Sequence, residues 1–264
     1  LFWSGAPLNW AVGIFTIFNV VIFHAAGNTW SDYKDYKSGV DREDTVGGLS
    51  IVSGQFEARQ IKRFSMILFA VAVAGGLVLV GLTGVETLYF GLAGALLTLF
   101  YPWLKYHALG DLDIFLTYSV LPMLGTSFVA TGQVQPDVLV LSVPVGLITV
   151  GILHSNNTRD IENDTSANIA TQASVLGVKM SRIYYVLLVG GAYVMVAVLA
   201  AIGVLSWIAL AVVLSLPIAI GNIKRMAAHK QPTDISDLDG NTAKLVMIFS
   251  LLLSVANFIN ALVL

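Results

Sequence analysis

Three polar groupings in an otherwise oily chain of 264 residues have the residue types and spacing to do chemistry. The first is Asn28-Thr-Trp-Ser-Asp32-Tyr-Lys-Asp35, whose Asn28, Asp32 and Asp35 stand at i, i+4 and i+7 and so share one helix face. Like charges set that close repel one another, a cost that a cation bound between them removes. The second runs from His154 to Asp164 and reads HSNNTRDIEND. It again follows an apolar run and offers Asn156 or Asn157 with Asp160 and Asp164 at helical spacing, interrupted by Arg159 and Glu162. Either segment alone reads as a solvated helix end, but the repetition points to a site. The third is Tyr101-Pro-Trp-Leu-Lys105, in which a phenol and an ammonium four residues apart can reach one anion together.

Carboxylates and amides without neighbouring Cys or His are oxygen ligands for a hard cation. Mg²⁺ typically takes one or two carboxylates and fills its octahedron with water and phosphate oxygens. The natural inference is a diphosphate bridged by Mg²⁺ between the two aspartate clusters. No phosphate loop or GxGxxG turn is present, which argues against a nucleotide. With no cysteine, a thiolate nucleophile, a disulfide and a Cys-ligated zinc are excluded.

These groups must be carried by membrane helices. The chain is 56% hydrophobic and only 11% charged, against about a quarter charged in soluble domains. A ruler of roughly twenty apolar residues per crossing places eight spans: Leu8 to Thr29, Phe64 to Thr83, Thr87 to Leu104, Ile114 to Ala130, Val138 to His154, Ile183 to Val204, Ser206 to Ile223 and Leu245 to Leu264. Connections alternate between short and long, so alternating crossings put the four long ones on one side. All 14 Lys and Arg residues lie in those four, which makes that side cytoplasmic by the positive-inside rule. The expectation is an all-α, polytopic transmembrane helical bundle around a central cavity, one domain over residues 1–264. A net charge of −2 gives no footprint for nucleic acid.

With its Asn28/Asp32/Asp35, Asp160/Asp164 and Tyr101/Lys105 motifs in that order at helix ends, the chain resembles the UbiA superfamily of intramembrane prenyltransferases. They match the family's NDxxD or NxxxD, its DxxxD and its YxxxK motifs. The phrases DYKSGVD, HSNNTRDIEND and TAKL (Thr242 to Leu245) resemble the menaquinone branch, in which 1,4-dihydroxy-2-naphthoate accepts a polyprenyl chain. One departure is Ser31 where many members carry Asn directly before the first Asp, which leaves two registers open: Asn28 with Asp32, or Asp32 with Asp35. The family has nine transmembrane helices. The expectation here is that LFWSGAP is the tail of a first helix that this sequence lacks.

The resemblance implies transfer of a prenyl group from an allylic polyprenyl diphosphate to a lipophilic aromatic acceptor. Two Mg²⁺ ions would be held by Asp32, Asp35, Asp160, Asp164 and Asn28, with Lys105, Arg159 and Tyr101 on the diphosphate. His154, Asn156, Asn157 and Asp111 are the candidate bases or binders for the acceptor. Each has a plainer reading. Tyr101 and Lys105 also suit an interfacial aromatic belt with a snorkelling lysine, Asp111 and Asp113 suit helix capping, and His154 suits a satisfied helix-end histidine. Asp41, Arg42, Glu43 and Asp44 read as a solvated loop face, with Asp41 also part of the first motif. Arg59, Lys62 and Arg63 suit lipid headgroups, and His24 within the first span faces either the cavity or its surroundings. The alternatives are a 4-hydroxybenzoate or geranylgeranylglyceryl phosphate acceptor and, from other classes, a secondary transporter or a membrane scaffold. The transporter reading calls for ionisable groups at mid-span, and the middles of these spans are almost free of charge.

Overall fold

The computed structural model describes residues 9–39, 41, 49–135 and 138–263, so Arg42, Glu43, Asp44 and Asp137 lie outside the described residues. Eight helices are long and apolar enough to cross a bilayer: α1 (Trp10–Lys37), α2 (Ala58–Thr83), α3 (Glu86–Lys105), α4 (Gly110–Thr131), α5 (Val138–Arg159), α6 (Gln172–Ala201), α7 (Trp207–Ala228) and α8 (Pro232–Val263). The count agrees with the sequence reading. The boundaries differ in one direction, because α1, α2, α4, α5, α6, α7 and α8 run one or more turns beyond the apolar runs on the side of the long connections. Hydropathy marks where the oily stretch stops, while the backbone keeps its hydrogen bonds until a cap ends it.

Local chemistry fixes those ends. Asn9 caps α1 by accepting from the Val12 N–H at 3.2 Å, and Lys34 and Lys37 occupy the last turn, where cations meet the negative end of the helix dipole. Glu57 opens α2 in a capping box with Gln60. Thr171 caps α6 by accepting from the Ser174 N–H at 3.3 Å. Gly177, with a φ of +70°, breaks that element so that its first turn and its long apolar part are separate helices.

The core lies between α5, α6, α7 and α8, where Ile148, Tyr185, Val189, Leu245 and Phe249 are buried together. Lipid tails are as apolar as these side chains, so close packing and interhelical hydrogen bonds hold the bundle, the latter worth about 0.6–2 kcal/mol each. Tyr185 donates to Thr242 at 2.6 Å, and Thr242 in turn donates to the Leu238 carbonyl at 2.7 Å. At the other end of the chain α1 lies along α2, pinned by the buried Ser65 hydroxyl donating to the Ala26 carbonyl at 3.0 Å. Ile17, Leu77, Leu92 and Leu187 face outward, as a lipid-facing surface requires.

Two irregularities shape the ground between the halves. α4 relaxes into a π turn over Leu116–Val120, with the Leu121 N–H bonded back to the Leu116 carbonyl. α5 packs closely on that turn at Gly146, where a Cβ would sit 2.6 Å from the Phe115 ring and 2.7 Å from Ser119 Oγ.

Candidate active site

A cavity of about 380 Å³ opens between α1, α3, α4 and α5. α1 lines it with Gly27, Asn28, Ser31, Asp32 and Asp35, the face that the i, i+4 spacing selects. α3 adds Thr98, Tyr101 and Lys105 at i, i+3 and i+7, and α5 adds Leu153 and Asn156. Of the residues picked out from sequence, Asn28, Asp32, Asp35, Tyr101, Lys105 and Asn156 therefore meet in one space.

Asp35 is held from two sides. The Tyr106 hydroxyl donates to Asp35 Oδ1 at 2.6 Å, and the Lys105 ammonium lies 3.3 Å from Oδ2. Burial and the Asp35 charge push the Tyr106 phenol well above its ordinary pKa, so it stays a donor. Asp32, one turn earlier, lines the cavity without a hydrogen-bond or ion-pair partner among the described residues. The Asn28 amide nitrogen lies 2.9 Å from His24 Nε2, and the His24 ring stands edge-on to Tyr118 with centroids 5.1 Å apart.

The second motif sits beside this space and is braced by its own chain. α5 ends at Arg159, and Asp160 starts the short helix Ile161–Ser166. The buried Arg159 guanidinium grips Asp160 through Nε at 2.9 Å and Nη2 at 2.7 Å, and also donates to Asn156 Oδ1 at 2.8 Å and the Ser236 carbonyl at 3.2 Å, with Asp239 at 3.5 Å. Asp164 accepts from Thr171 at 3.1 Å. Burial raises the Asp164 carboxyl to about 6 against the pull of Lys105, and burial with the nearby Asp35 charge raises Asp41 to about 6. These mutual influences place Asp41, Asp160, Asp164, Asp35 and Lys105 in one electrostatic neighbourhood.

Among the described residues no group of three or more His, Asp or Glu side chains could hold a metal alone. The clamp drawn from sequence, with four aspartates closing together, is thus not a ready-made protein cage. The donor set nonetheless suits a hard cation that completes its shell with phosphate oxygens, since Asn28, Asp32 and Asp35 offer oxygen alone from one helix face.

The remaining candidates fall elsewhere. His154 is fully buried, with Nε2 donating to the Ser181 carbonyl at 3.1 Å and Nδ1 lying 3.3 Å from Asp111. Those two face each other and do not line the cavity, and Asn157 is buried in α5. The capping reading of Asp111 and Asp113 fails, because neither caps α4 and both side chains are buried. Sequence reasoning passed over Thr98 and Tyr118 in the cavity wall and Tyr106 on Asp35, took Ser31 only as a departure from the family motif, and read Asp113 only as a cap. The Thr117-Tyr118-Ser119 run inside an apolar span is the signal that could have found one of them.

The arrangement has relatives. The model of the UbiA prenyltransferase family matches residues 1–248. The chain belongs to that family. It is 35% identical over 187 residues to "UbiA prenyltransferase domain-containing protein 1" of Gallus gallus, covering 69% of this chain and 56% of that protein. It is 33% identical over 187 residues to the Homo sapiens protein of the same name, covering 69% and 55%. The chain thus spans just over half the length of the curated relatives it matches. The apo structure of a UbiA homologue from Aeropyrum pernix K1 shares the fold, with a TM-score of 0.74 at 18% identity over 96% of this chain and 92% of that one. These relatives bear the family name and not that of a menaquinone enzyme, so the branch read from sequence is narrower than they support.

Proposed function

We propose that this UbiA-family chain transfers a prenyl group from an allylic polyprenyl diphosphate to a lipophilic aromatic ring of the dihydroxynaphthoate type, with Mg²⁺ as cofactor and the site at the cytoplasmic face. The observation that carries the proposal is the convergence of Asp32 and Asp35 from one helix, and Tyr101 and Lys105 from another, on one largely polar cavity that Ile114, Leu153 and the Tyr118 ring also line. A site that ionises an allylic diphosphate needs charge to bind the leaving group and a dry surface for the carbocation. This wall supplies the charge, and Ile114, Leu153 and the Tyr101 and Tyr118 rings are its apolar part.

Asp32 and Asn28 are the residues to hold the cation, supported by Asp35 and by Asp160 and Asp164 of the neighbouring second motif. A Mg²⁺ ion held there would supply positive charge to stabilise the departing diphosphate. Lys105 offers its remaining N–H groups to the diphosphate while Asp35 fixes its position. Tyr101 offers its hydroxyl from the same helix face. Ile114, Leu153 and the Tyr118 ring border the cavity and keep water from the allylic cation. Asp35, engaged by Tyr106 and Lys105, is a positioning group in this reading, which favours the Asn28/Asp32 register.

The test incubates purified protein with Mg²⁺, radiolabelled geranylgeranyl diphosphate and three acceptors: dihydroxynaphthoate, 4-hydroxybenzoate and geranylgeranylglyceryl phosphate. Prenylated naphthoate is the expected product, lost on chelation and in Asp32→Ala and Asp160→Ala. Product with the glycerol phosphate alone overturns the acceptor class, and full turnover in Asp32→Ala overturns the metal role.

A further inference from the structure

The reaction as drawn leaves one buried group in the cavity unused. Asp113, in the first turn of α4, lines the cavity and is 3% exposed, yet its Oδ1 has no hydrogen-bond partner. No lysine, arginine or histidine pairs with it among the described residues. Lys105, the cavity's ammonium, is drawn to Asp35. One hydroxyl, that of Thr117, lies within reach of this carboxyl, which leaves acceptor capacity that a ligand's donor can fill.

The surroundings say what kind of donor fits. Beyond Asp113 the π turn carries Tyr118 into the same wall, and the buried Thr117 hydroxyl lies within reach of the Asp113 carboxyl. The turn is locked in place, with Ser119 donating to the Ser142 carbonyl and Gly146 allowing α5 to approach. Asp113 therefore sits on a rigid wall next to Ile114, Tyr118 and Tyr101. A carboxylate there repels a diphosphate, which belongs with Lys105, and attracts a ring O–H of the aromatic acceptor.

We infer that Asp113 is a catalytic residue that binds the ring hydroxyl of the aromatic acceptor and takes its proton during alkylation. The inference rests on the prenyl-transfer reading. A π electron pair of the ring forms the new C–C bond to the allylic carbon, and the C–O bonding pair leaves with the diphosphate. Positive charge spreads from the ring to the hydroxyl oxygen, whose proton passes to Asp113 to leave a neutral ring ketone. The hydrogen at the alkylated carbon then leaves as a proton to the diphosphate, and Asp113 returns its proton to the oxygen as the ring becomes aromatic again. The net change is one ring proton exchanged for one prenyl group.

The experiment compares wild type, Asp113→Asn and Asp113→Ala on the phenolic acceptor that wild type turns over best and on its O-methyl ether, with melting in detergent as the folding control. Wild type is expected to prefer the hydroxyl by tenfold or more. Both variants should raise the acceptor KM about tenfold, lower kcat, and bring the hydroxyl-to-ether preference near one, while the prenyl diphosphate KM moves less than twofold. Asp113→Asn keeps the shape, so it stands as the test if Asp113→Ala melts early. An unchanged hydroxyl preference in a folded variant overturns the inference and leaves prenyl transfer intact. A rise confined to the diphosphate KM or the Mg²⁺ requirement makes Asp113 part of the leaving-group site instead. Absence of product from wild type with every acceptor defeats the prenyl-transfer reading and the inference with it.

Discussion

Replacing Tyr106 with Phe removes one oxygen and tests whether Asp35 is a positioning group. Tyr106 donates to Asp35 Oδ1 at 2.6 Å, the shorter of the two contacts on that carboxylate, and Lys105 holds the other oxygen at 3.3 Å. Hydrogen bonds to charged groups are worth about 1.5–3 kcal/mol. The Asp35 side chain is 13% exposed, so water replaces only part of the lost donor. The lower half of that range applies, about 1.5–2 kcal/mol, which corresponds to roughly 10- to 30-fold in an equilibrium constant. With one donor gone the carboxylate draws on Lys105 alone, and the ammonium becomes less available to a diphosphate. The expected result is a prenyl diphosphate KM raised about tenfold, an acceptor KM unmoved, and a protein still folded by circular dichroism. A diphosphate KM within twofold of wild type in folded Tyr106→Phe would refute the idea that the Tyr106–Asp35–Lys105 chain sets the leaving-group site.

Two further outcomes follow from the second motif. Arg159→Met breaks a buried network that joins the end of α5 to the start of α8, and removing one partner of a buried ion pair costs about 3–5 kcal/mol; a melting temperature equal to wild type would show the network is not structural. Asp41 and Asp164 are both raised to about 6 from 3.8, so between those values the folded chain holds more protons than the unfolded chain. Without metal, stability therefore falls as pH rises through that window, and Asp164→Asn should flatten the slope in melts taken from pH 4 to 7.

The parts of this site visible in the sequence are those that ride on regular helix. Asn28, Asp32 and Asp35 share a face because α1 continues unbroken to Lys37, and Tyr101 and Lys105 meet the same cavity because α3 runs to Lys105. Spacing is informative there because 3.6 residues make a turn. The second motif was legible as a location but less so as geometry. Asp160 and Asp164 have helical spacing, yet α5 ends between Arg159 and Asp160, and the two carboxylates turn to different partners, Arg159 and Thr171. Tyr106 was hidden for a related reason. It lies one residue past the end of α3, where helical spacing no longer says which way a side chain points, and its length brings the phenol back to Asp35.

Asp113 and Tyr118 show why a membrane helix can conceal its chemistry. Five residues apart, they fall on different faces of a regular α-helix, where residues three and four apart are neighbours. The π turn over Leu116–Val120 adds one residue to the local repeat, so positions five apart across it come round to one side. Both then line the cavity. A π turn has poorer geometry than the α-helix it interrupts and persists only where packing favours it. Here Gly146 admits the Phe115 ring and Ser119 donates across to α5, contacts a straight α4 would not present in the same register. The packing between α4 and α5 thus places a carboxylate and a phenol side by side in the cavity wall, away from the lysine that draws the diphosphate. In the proposed reaction that separation keeps the acceptor's ring hydroxyl apart from the departing diphosphate.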